Sequence, residues 1–181
     1  MLIGKEEIKE KLKYKGDFVK IDYLTRLLEE ELSNDLKKFV CIKLAEIYEQ
    51  KMMFSIAAKM YDSVAISCIA FSEKIKYYLK EAELFIEAGR FERVEEIIKN
   101  TMTYSNEKTK QEIFFAVKEL YKKQAEEYEL EGRINKAAKI YEKMLEKSLS
   151  DEEKKQIKEK LLKFYDKIGD RTKHFNLKSL G

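Results

Sequence analysis

The sequence predicts an all-α protein built as a row of stacked helical hairpins. Proline is absent and glycine occurs only six times in 181 residues, so few positions interrupt a helix. Apolar residues fall at i, i+3, i+4 and i+7 over long stretches, which is the period of an amphipathic helix. Turn-like positions recur between these stretches at nearly even spacing, and such regularity is typical of repeat proteins.

Five short segments mark the predicted turns. Each follows a helix-like run, all but the last precede another, and their first residues are 36, 37, 43 and 37 residues apart. These first residues are Gly16, Met52, Gly89, Gly132 and Gly169. Glycine after a helix accepts the left-handed backbone conformation that closes it. Because Met52 stands where the pattern favours glycine, we expect its turn to be strained or differently closed.

The first part of the chain divides into hairpins on this basis. Residues 1–34 fit the repeat loosely, as a degenerate N-terminal hairpin, and residues 35–149 hold three regular hairpins. The longest interval is accommodated near Thr103 to Asn106, where Ser105 or Asn106 is expected to cap a helix running to about Glu131.

The last part of the chain is predicted to close the array. Ser150 followed by Glu153 matches a capping box, which opens a capping helix over 150–169. A repeat array needs such a polar terminal helix, because no further repeat covers its outer side. The remaining residues, 170–181, form a basic-apolar tail with Phe175, Leu177 and Leu180.

Small and large residues recur at matched offsets from the turns. An alanine stands seven residues before three turns, a small residue five after, and an aromatic residue four before. Small residues let two helices approach closely, and aromatic residues fill the space beside them. The residues in these three groups are Ala45, Ala82 and Ala125; Ala57, Val94 and Ala137; and Tyr48, Phe85, Tyr128 and Tyr165.

This arrangement resembles the tetratricopeptide repeat family, most clearly from Phe39 to Ser148. The family's large, small, aromatic and turn residues are matched by Tyr121, Ala125, Tyr128, Gly132, Ala137, Tyr141 and Leu145. The family's proline between repeats is missing, and the units are long. In this they are also similar to the helical hairpins of SNARE-disassembly adaptor proteins. The resemblance implies a right-handed superhelical stack of antiparallel hairpins, an α-solenoid, with first helices lining a concave groove.

Carried over by the resemblance, the predicted groove has partner-binding residues on the first helix of each hairpin. These are Phe39, Ile42, Glu46, Glu49, Leu79, Glu83, Ile86, Glu87, Lys122, Glu126 and Glu129. Glu46, Glu83 and Glu126 each lie six residues before their turns, so they are expected to stack as an acidic ladder. The function predicted is a scaffold or adaptor that binds a basic or basic-apolar segment of another protein. The alternative is that these glutamates are good helix formers on a wet face.

Related arrays that bind a peptide carboxylate use lysines and asparagines at such groove positions. The predicted groove offers only Lys122, so we do not expect a carboxylate clamp.

The sequence shows no pattern of catalytic or ligand-binding residues. His174 is the only histidine, and Gly4-Lys5-Glu6 lacks the glycine and hydroxyl residues of a phosphate-binding loop. Cys41 and Cys68 lie in apolar helical runs, where small buried hydrophobic residues explain them better than a disulfide. We therefore predict a protein that is not an enzyme, with no catalytic residue, cofactor or metal.

Charge argues against nucleic acid as the main partner. The 37 basic and 34 acidic residues give a net charge of +3, whereas nucleic-acid binders usually carry a basic excess on one face. Lysines from Lys5 to Lys15 enrich the N-terminus, but Glu6, Glu7 and Glu10 interrupt them and favour a solvated helix with opposite-charge pairs. The alternative function is a ribosome- or RNA-associated factor using this segment and the tail.

The sequence shows neither a signal peptide nor an 18-residue apolar run, so we expect a soluble, cytoplasmic protein without a membrane partner. Its abundant Lys, Glu and Ile are typical of thermophiles.

Two interpretations of the tail remain open. It is either a shortened second helix folded back on the capping helix, or a segment that docks into the groove. Docking into another copy gives a homodimer, and docking into its own groove gives an autoinhibited monomer.

Overall fold

The computed structural model describes residues 4–147 and 149–179, and every regular element in that part of the chain is an α-helix. The predicted all-α class is confirmed. The helices are α1 Lys5–Leu12, α2 Asp17–Leu28, α3 Asn34–Gln50, α4 Phe54–Ile66, α5 Phe71–Glu87, α6 Phe91–Thr103, α7 Glu107–Leu130, α8 Ile134–Leu145, α9 Asp151–Ile168 and α10 Arg171–Ser179. Ser148 of the predicted repeats and Leu180 of the predicted tail lie outside the described residues.

Four of the five predicted turns close with one backbone motif. Met52, Gly89, Gly132 and Gly169 have φ angles of 57°, 67°, 71° and 82°, in the left-handed region. In each turn the next residue donates its backbone N–H to the carbonyl of the aromatic residue four before the turn, over 2.8 to 2.9 Å. This is the Schellman motif, and it explains why the turn residues and aromatic residues recur together.

The first turn differs from this pattern. Gly16 has φ of −69° and forms the N-cap of α2, whereas Tyr14 adopts the left-handed conformation with φ of 63°. The chain therefore turns two residues earlier than the glycine spacing predicts. A tyrosine in that conformation carries the same backbone strain as Met52.

The matched small residues are buried. Ala45 in α3 and Ala57 in α4 are each 0% exposed, and these two helices pack against each other. The equivalent Ala125 in α7 and Ala137 in α8 are also 0% exposed. Their burial agrees with the packing role predicted for them.

The chain divides into two compact units, and the boundary between them falls within α7. Unit 1 ends at Ile113 and unit 2 begins at Phe114. In unit 1, α2 packs on α3, α3 on α4, α4 on α5 and α5 on α6. In unit 2, α8 packs on α9 and α9 on α10. The single right-handed stack over residues 1–181 stays a prediction.

Side-chain caps fix the ends of the later helices. Of the two candidates before α7, Asn106 caps it, since its Oδ1 accepts the Thr109 backbone N–H over 2.8 Å. The capping box at α9 is confirmed, because the Ser150 hydroxyl accepts the Glu153 N–H and the Glu153 carboxylate accepts the Ser150 N–H.

The tail forms a second helix after Gly169. Helix α10 packs on α9, and Lys173 forms an ion pair with Glu142 at 2.8 Å. Residues 171–179 thus fold back as the first interpretation of the tail predicts.

Candidate functional site

The predicted groove residues of unit 1 lie on α3 and α5, the first helices of two successive hairpins. Their glutamates do not form a bare acidic surface. Glu46 pairs with Lys43 at 2.7 Å, and Lys80 bridges Glu49 and Glu83, with 3.0 Å to each carboxylate. Carboxylates and lysines therefore alternate on this side of unit 1.

One predicted groove residue of unit 1 is not available to a partner. Ile86 is 1% exposed and belongs to the buried core, because helix α5 turns it toward its neighbours and away from solvent. The other predicted residues of α3 and α5 keep partly exposed side chains.

A polar network links the two first helices at both ends. Lys38 of α3 pairs with Glu73 of α5 at 2.5 Å, and Glu49 of α3 pairs with Lys80 of α5 at 3.0 Å. The residue numbers of the paired positions increase together along the two helices, so α3 and α5 run in the same direction. The Tyr61 hydroxyl of α4 donates to Glu49 over 2.8 Å and joins the second helix to the pair.

The same network occurs again 80 residues further along the chain, within unit 2. Lys118 pairs with Glu153, and Lys160 lies 2.7 Å from Glu129 and 3.0 Å from the Tyr141 oxygen. The Tyr141 hydroxyl also donates to Glu129. We call each set a first-helix network: Lys38, Glu49, Tyr61, Glu73 and Lys80 in unit 1, and Lys118, Glu129, Tyr141, Glu153 and Lys160 in unit 2.

The environment of each network shifts its pKa values in consistent directions. Burial and the neighbouring Glu49 carboxylate raise the pKa of Tyr61, and burial with Glu129 raises the pKa of Tyr141 to about 12. Lys118, followed by the Ser150 backbone and hydroxyl, lowers the pKa of Glu153 to about 2. At neutral pH Tyr61 and Tyr141 therefore stay protonated and act as hydrogen-bond donors, and Glu153 is ionised.

The remaining predicted groove residues lie in unit 2, beside its network. Lys122 and Glu126 border a cleft of about 120 Å³, together with Lys118, Tyr141, Glu153 and Lys160. Both are exposed. Glu126, the third residue of the predicted ladder, lies in unit 2, while Glu46 and Glu83 lie in unit 1. The ladder as a whole stays a prediction.

Eight of the ten network residues, all except Glu49 and Glu129, were not predicted as site residues. Lys38, Tyr61, Glu73, Lys80 and their unit 2 equivalents are separated from their partners by 12 to 35 residues, so no local pattern connects them. Comparing the chain with itself at an offset of 80 residues would have found them. At that offset Lys38, Glu49, Tyr61, Glu73 and Lys80 all meet an identical residue.

Lysines of the N-terminal helix are held in ion pairs. Lys5 pairs with Asp35 at 2.6 Å, and Lys9 and Lys11 pair with glutamates one turn away on α1 at 2.7 and 2.8 Å. In the tail, Lys173 is paired with Glu142. These contacts match the prediction of a solvated helix with opposite-charge pairs.

Both cysteines are buried and free, as predicted. Burial raises the pKa of each thiol, which keeps it protonated and unreactive at neutral pH. Within residues 4–147 and 149–179, no three His, Cys, Asp or Glu side chains are grouped to hold a metal ion. No helix in the described part of the chain is long and apolar enough to cross a membrane.

Comparisons with protein-family models, curated proteins and solved structures found no match to this chain. The likeness to tetratricopeptide repeats therefore rests on the residue pattern described above.

Proposed function

We propose that this protein is a non-enzymatic interaction module, which binds a basic segment of a partner protein along the first helices of its hairpins. The repetition of the first-helix network in both units is the observation that carries this proposal. A packed apolar contact would join two helices at least as well as ion pairs do, since removing charges from water is costly. Both units instead have ion-paired side chains at the same positions of their helices, and such an arrangement suits the recognition of a polar, extended ligand.

The charge of unit 1 favours a basic partner. On this side of α3 and α5, the three carboxylates of Glu46, Glu49 and Glu83 form ion pairs with two lysines, Lys43 and Lys80. These pairs are partly exposed, so each contributes little to stability and can be exchanged. A lysine or arginine of the partner would compete with Lys43 and Lys80 for the same oxygens.

The networks hold the binding residues on rigid elements. Glu49 and Glu129 are each fixed by a tyrosine and a lysine from other helices. Such second contacts reduce the conformational entropy that a partner must remove on binding.

Charge reversal combined with salt dependence tests this proposal. We expect a basic, lysine-rich peptide to bind the full chain with an affinity that falls steeply as salt rises, because screening weakens exposed charge pairs. Changing Glu46, Glu83 and Glu126 together to Lys should weaken binding by about tenfold or more, equivalent to about 1.4 kcal/mol. Fluorescence anisotropy with a labelled peptide measures both effects.

The matched control reverses three exposed glutamates that lie away from the first helices. Glu29, Glu92 and Glu146 belong to the second helices of their hairpins or to the residues that cap them. Equal loss of affinity in both triple variants would show a general charge effect and contradict the proposal. Unchanged affinity in the first variant would contradict it as well.

A further inference from the structure

Unit 1 contains a cavity of about 410 Å³ between α4, α5 and α6 that the proposed function does not use. Glu81 of α5 lines this cavity, whereas Glu83, two positions further on, belongs to the predicted groove. Two positions on an α-helix differ by about 200° around its axis. The cavity therefore opens on the side of α5 opposite to the predicted groove.

Glu81 is a buried carboxyl group without a partner. Its side chain is 3% exposed, and Oε2 has no hydrogen-bond donor in the described part of the chain. Asp62 of α4 lines the same cavity and likewise makes no hydrogen bond or ion pair with any described residue. A buried polar group without a hydrogen bond lowers stability, so the unpaired carboxyl group of Glu81, beside the half-buried Asp62, requires an explanation.

Arg93 lines this cavity, but its charge is engaged elsewhere. Its guanidinium forms an ion pair with Glu96 one turn further along α6. It also lies over the Phe85 ring, 5.8 Å from the ring centre. Arg93 thus contributes a long-range field to Asp62 and Glu81 but no hydrogen bond.

Unit 2 shows how the same place is filled without a ligand. Eighty residues after Asp62 stands Glu142, which accepts a hydrogen bond from Tyr165 over 2.8 Å and pairs with Lys173 at 2.8 Å. Eighty residues after Glu81 stands Leu161, which is 0% exposed. A leucine and an internally neutralised carboxylate are therefore sufficient for this hairpin packing.

Unit 1 differs from unit 2 at two of these positions, and each difference leaves a carboxylate without a hydrogen-bond donor. Glu81 replaces the leucine, and Phe85 replaces the tyrosine whose hydroxyl satisfies the carboxylate in unit 2. Packing does not explain Glu81, because the leucine at the equivalent place in unit 2 is fully buried. Lys74 and Arg93 line the cavity as well, but neither forms a hydrogen bond or an ion pair with Glu81 or Asp62.

We propose that this cavity binds an aliphatic primary ammonium group, with the carboxylates of Glu81 and Asp62 as its counterions. An ammonium group donates three hydrogen bonds and would satisfy the acceptors that the protein leaves open. Phe71, Tyr78 and Tyr104 line the cavity as well, and their rings offer apolar surface for an alkyl chain and cation–π contact for its charge. The volume lies in the range of small-ligand sites.

Two sources can supply this chemistry: the lysine side chain of a partner protein, or a free alkylamine such as a polyamine. Both present the same charged group at the end of an aliphatic chain. The experiment below distinguishes them.

The charged groups around the cavity predict how binding depends on pH. Asp62 from α4, Lys74 and Glu81 from α5, and Arg93 and Glu96 from α6 line it. Burial, together with Asp62, raises the pKa of Glu81 to about 8, and Arg93 opposes this shift. Ionised Glu81 binds a cation better than neutral Glu81 does, so affinity should rise as the pH passes about 8. It should fall again near pH 10.4, where an alkylammonium group loses its proton.

Isothermal titration of the full chain tests the proposal with four probes. The probes are n-butylamine, spermidine, a short peptide with one lysine, and the same peptide with that lysine acetylated. We expect saturable binding of the charged probes and none of the acetylated peptide. Binding of the free amines identifies a small amine as the source, and binding of the lysine peptide alone identifies a partner's side chain.

Glu81→Leu is the decisive variant, because leucine is the residue that unit 2 carries at this place. It should lower the affinity for the charged probe by about tenfold or more. It should also melt at or above the wild-type temperature, since it removes a buried unpaired carboxyl group, so that lost binding is not lost folding. Glu142→Gln, which changes the equivalent carboxylate in unit 2, should leave the affinity unchanged.

Three results would overturn the proposal. They are full affinity in Glu81→Leu, equal binding of the acetylated and unmodified peptides, and no binding of any probe by the wild-type chain.

Discussion

At the residue scale, the left-handed turn positions show how one backbone requirement recurs along the chain. Three of the four regular turns meet it with glycine, which pays no steric cost for positive φ. Met52 meets it with a side chain that is 63% exposed and therefore gains little from packing. The strain predicted from the sequence at this turn is thus confined to the backbone.

Met52→Gly should stabilise the protein. The left-handed conformation costs a residue with a Cβ roughly 1 to 2 kcal/mol, while glycine adds about 0.5 to 1 kcal/mol of unfolded-chain entropy. We expect the free energy of unfolding to rise by up to about 1 kcal/mol, measured by urea denaturation. Gln50→Gly, an exposed change two residues earlier inside α3, should instead destabilise by about 0.5 to 1 kcal/mol. A gain in both variants would show that the backbone conformation is not the cause.

The roles that could be predicted from the sequence are those of residues that act on their near neighbours in the chain. Met52, Asn106 and Ser150 act within five residues of their own position, so a local pattern reveals them. Tyr14 was missed because the turn was predicted at Gly16. In the structure Gly16 is the N-cap of α2 instead. Glu81 was missed because what distinguishes it is a buried carboxylate oxygen without a hydrogen-bond donor. The spacing of residues in the sequence does not show which donors surround a side chain in the fold.

At the element scale, helix α9 begins with a structure that ties its stability to pH. Ser150 and Glu153 satisfy each other's backbone N–H groups, and Lys118 lowers the pKa of Glu153 further. A carboxyl group whose folded pKa lies below its unfolded value contributes stability above the unfolded value. That contribution is lost as the pH falls from about 4.5 toward 2.

Ser150→Ala should cost about 1 kcal/mol at neutral pH, because it removes the side chain that caps α9. It should also raise the pKa of Glu153, since the Ser150 hydroxyl is one of the groups that lowers it. Urea unfolding and an NMR titration of Glu153 measure the two effects. Ser33→Ala removes the cap of α3, which has no glutamate at the third helical position, and should leave the Glu153 titration unchanged. An unaltered Glu153 pKa in Ser150→Ala would contradict the role given to the capping box.

The helix faces were predicted less completely than the helix boundaries. Periodicity assigns an amphipathic stripe, but it does not say which neighbour covers each flank of that stripe. The resemblance to tetratricopeptide repeats placed Ile86 in the groove, and the structure buries it. The same resemblance placed the glutamates of α3 and α5 in the groove, but it did not single out the lysines that pair with them.

At the scale of the whole molecule, the chain repeats itself in blocks of two hairpins. The first-helix networks, the alanines at positions 45 and 57, and the turns at Met52 and Gly89 recur at an offset of 80 residues, and one copy of each lies in either unit. Repeat proteins draw their stability from each repeat and its nearest neighbours, so that a local change need not reach the whole chain. The matched positions make this behaviour testable in one protein.

Ala57→Leu and Ala137→Leu form a matched pair of overpacking variants. Both alanines are 0% exposed and occupy the same place in their hairpins, so each added side chain should cost about 1 to 3 kcal/mol. If stability is local, Ala57→Leu will speed amide hydrogen exchange mainly in α3 to α6, and Ala137→Leu mainly in α8 to α10. Asn135→Leu, an exposed change in α8, should alter exchange little. A uniform loss of protection along the chain in both alanine variants would show that the two units unfold as one.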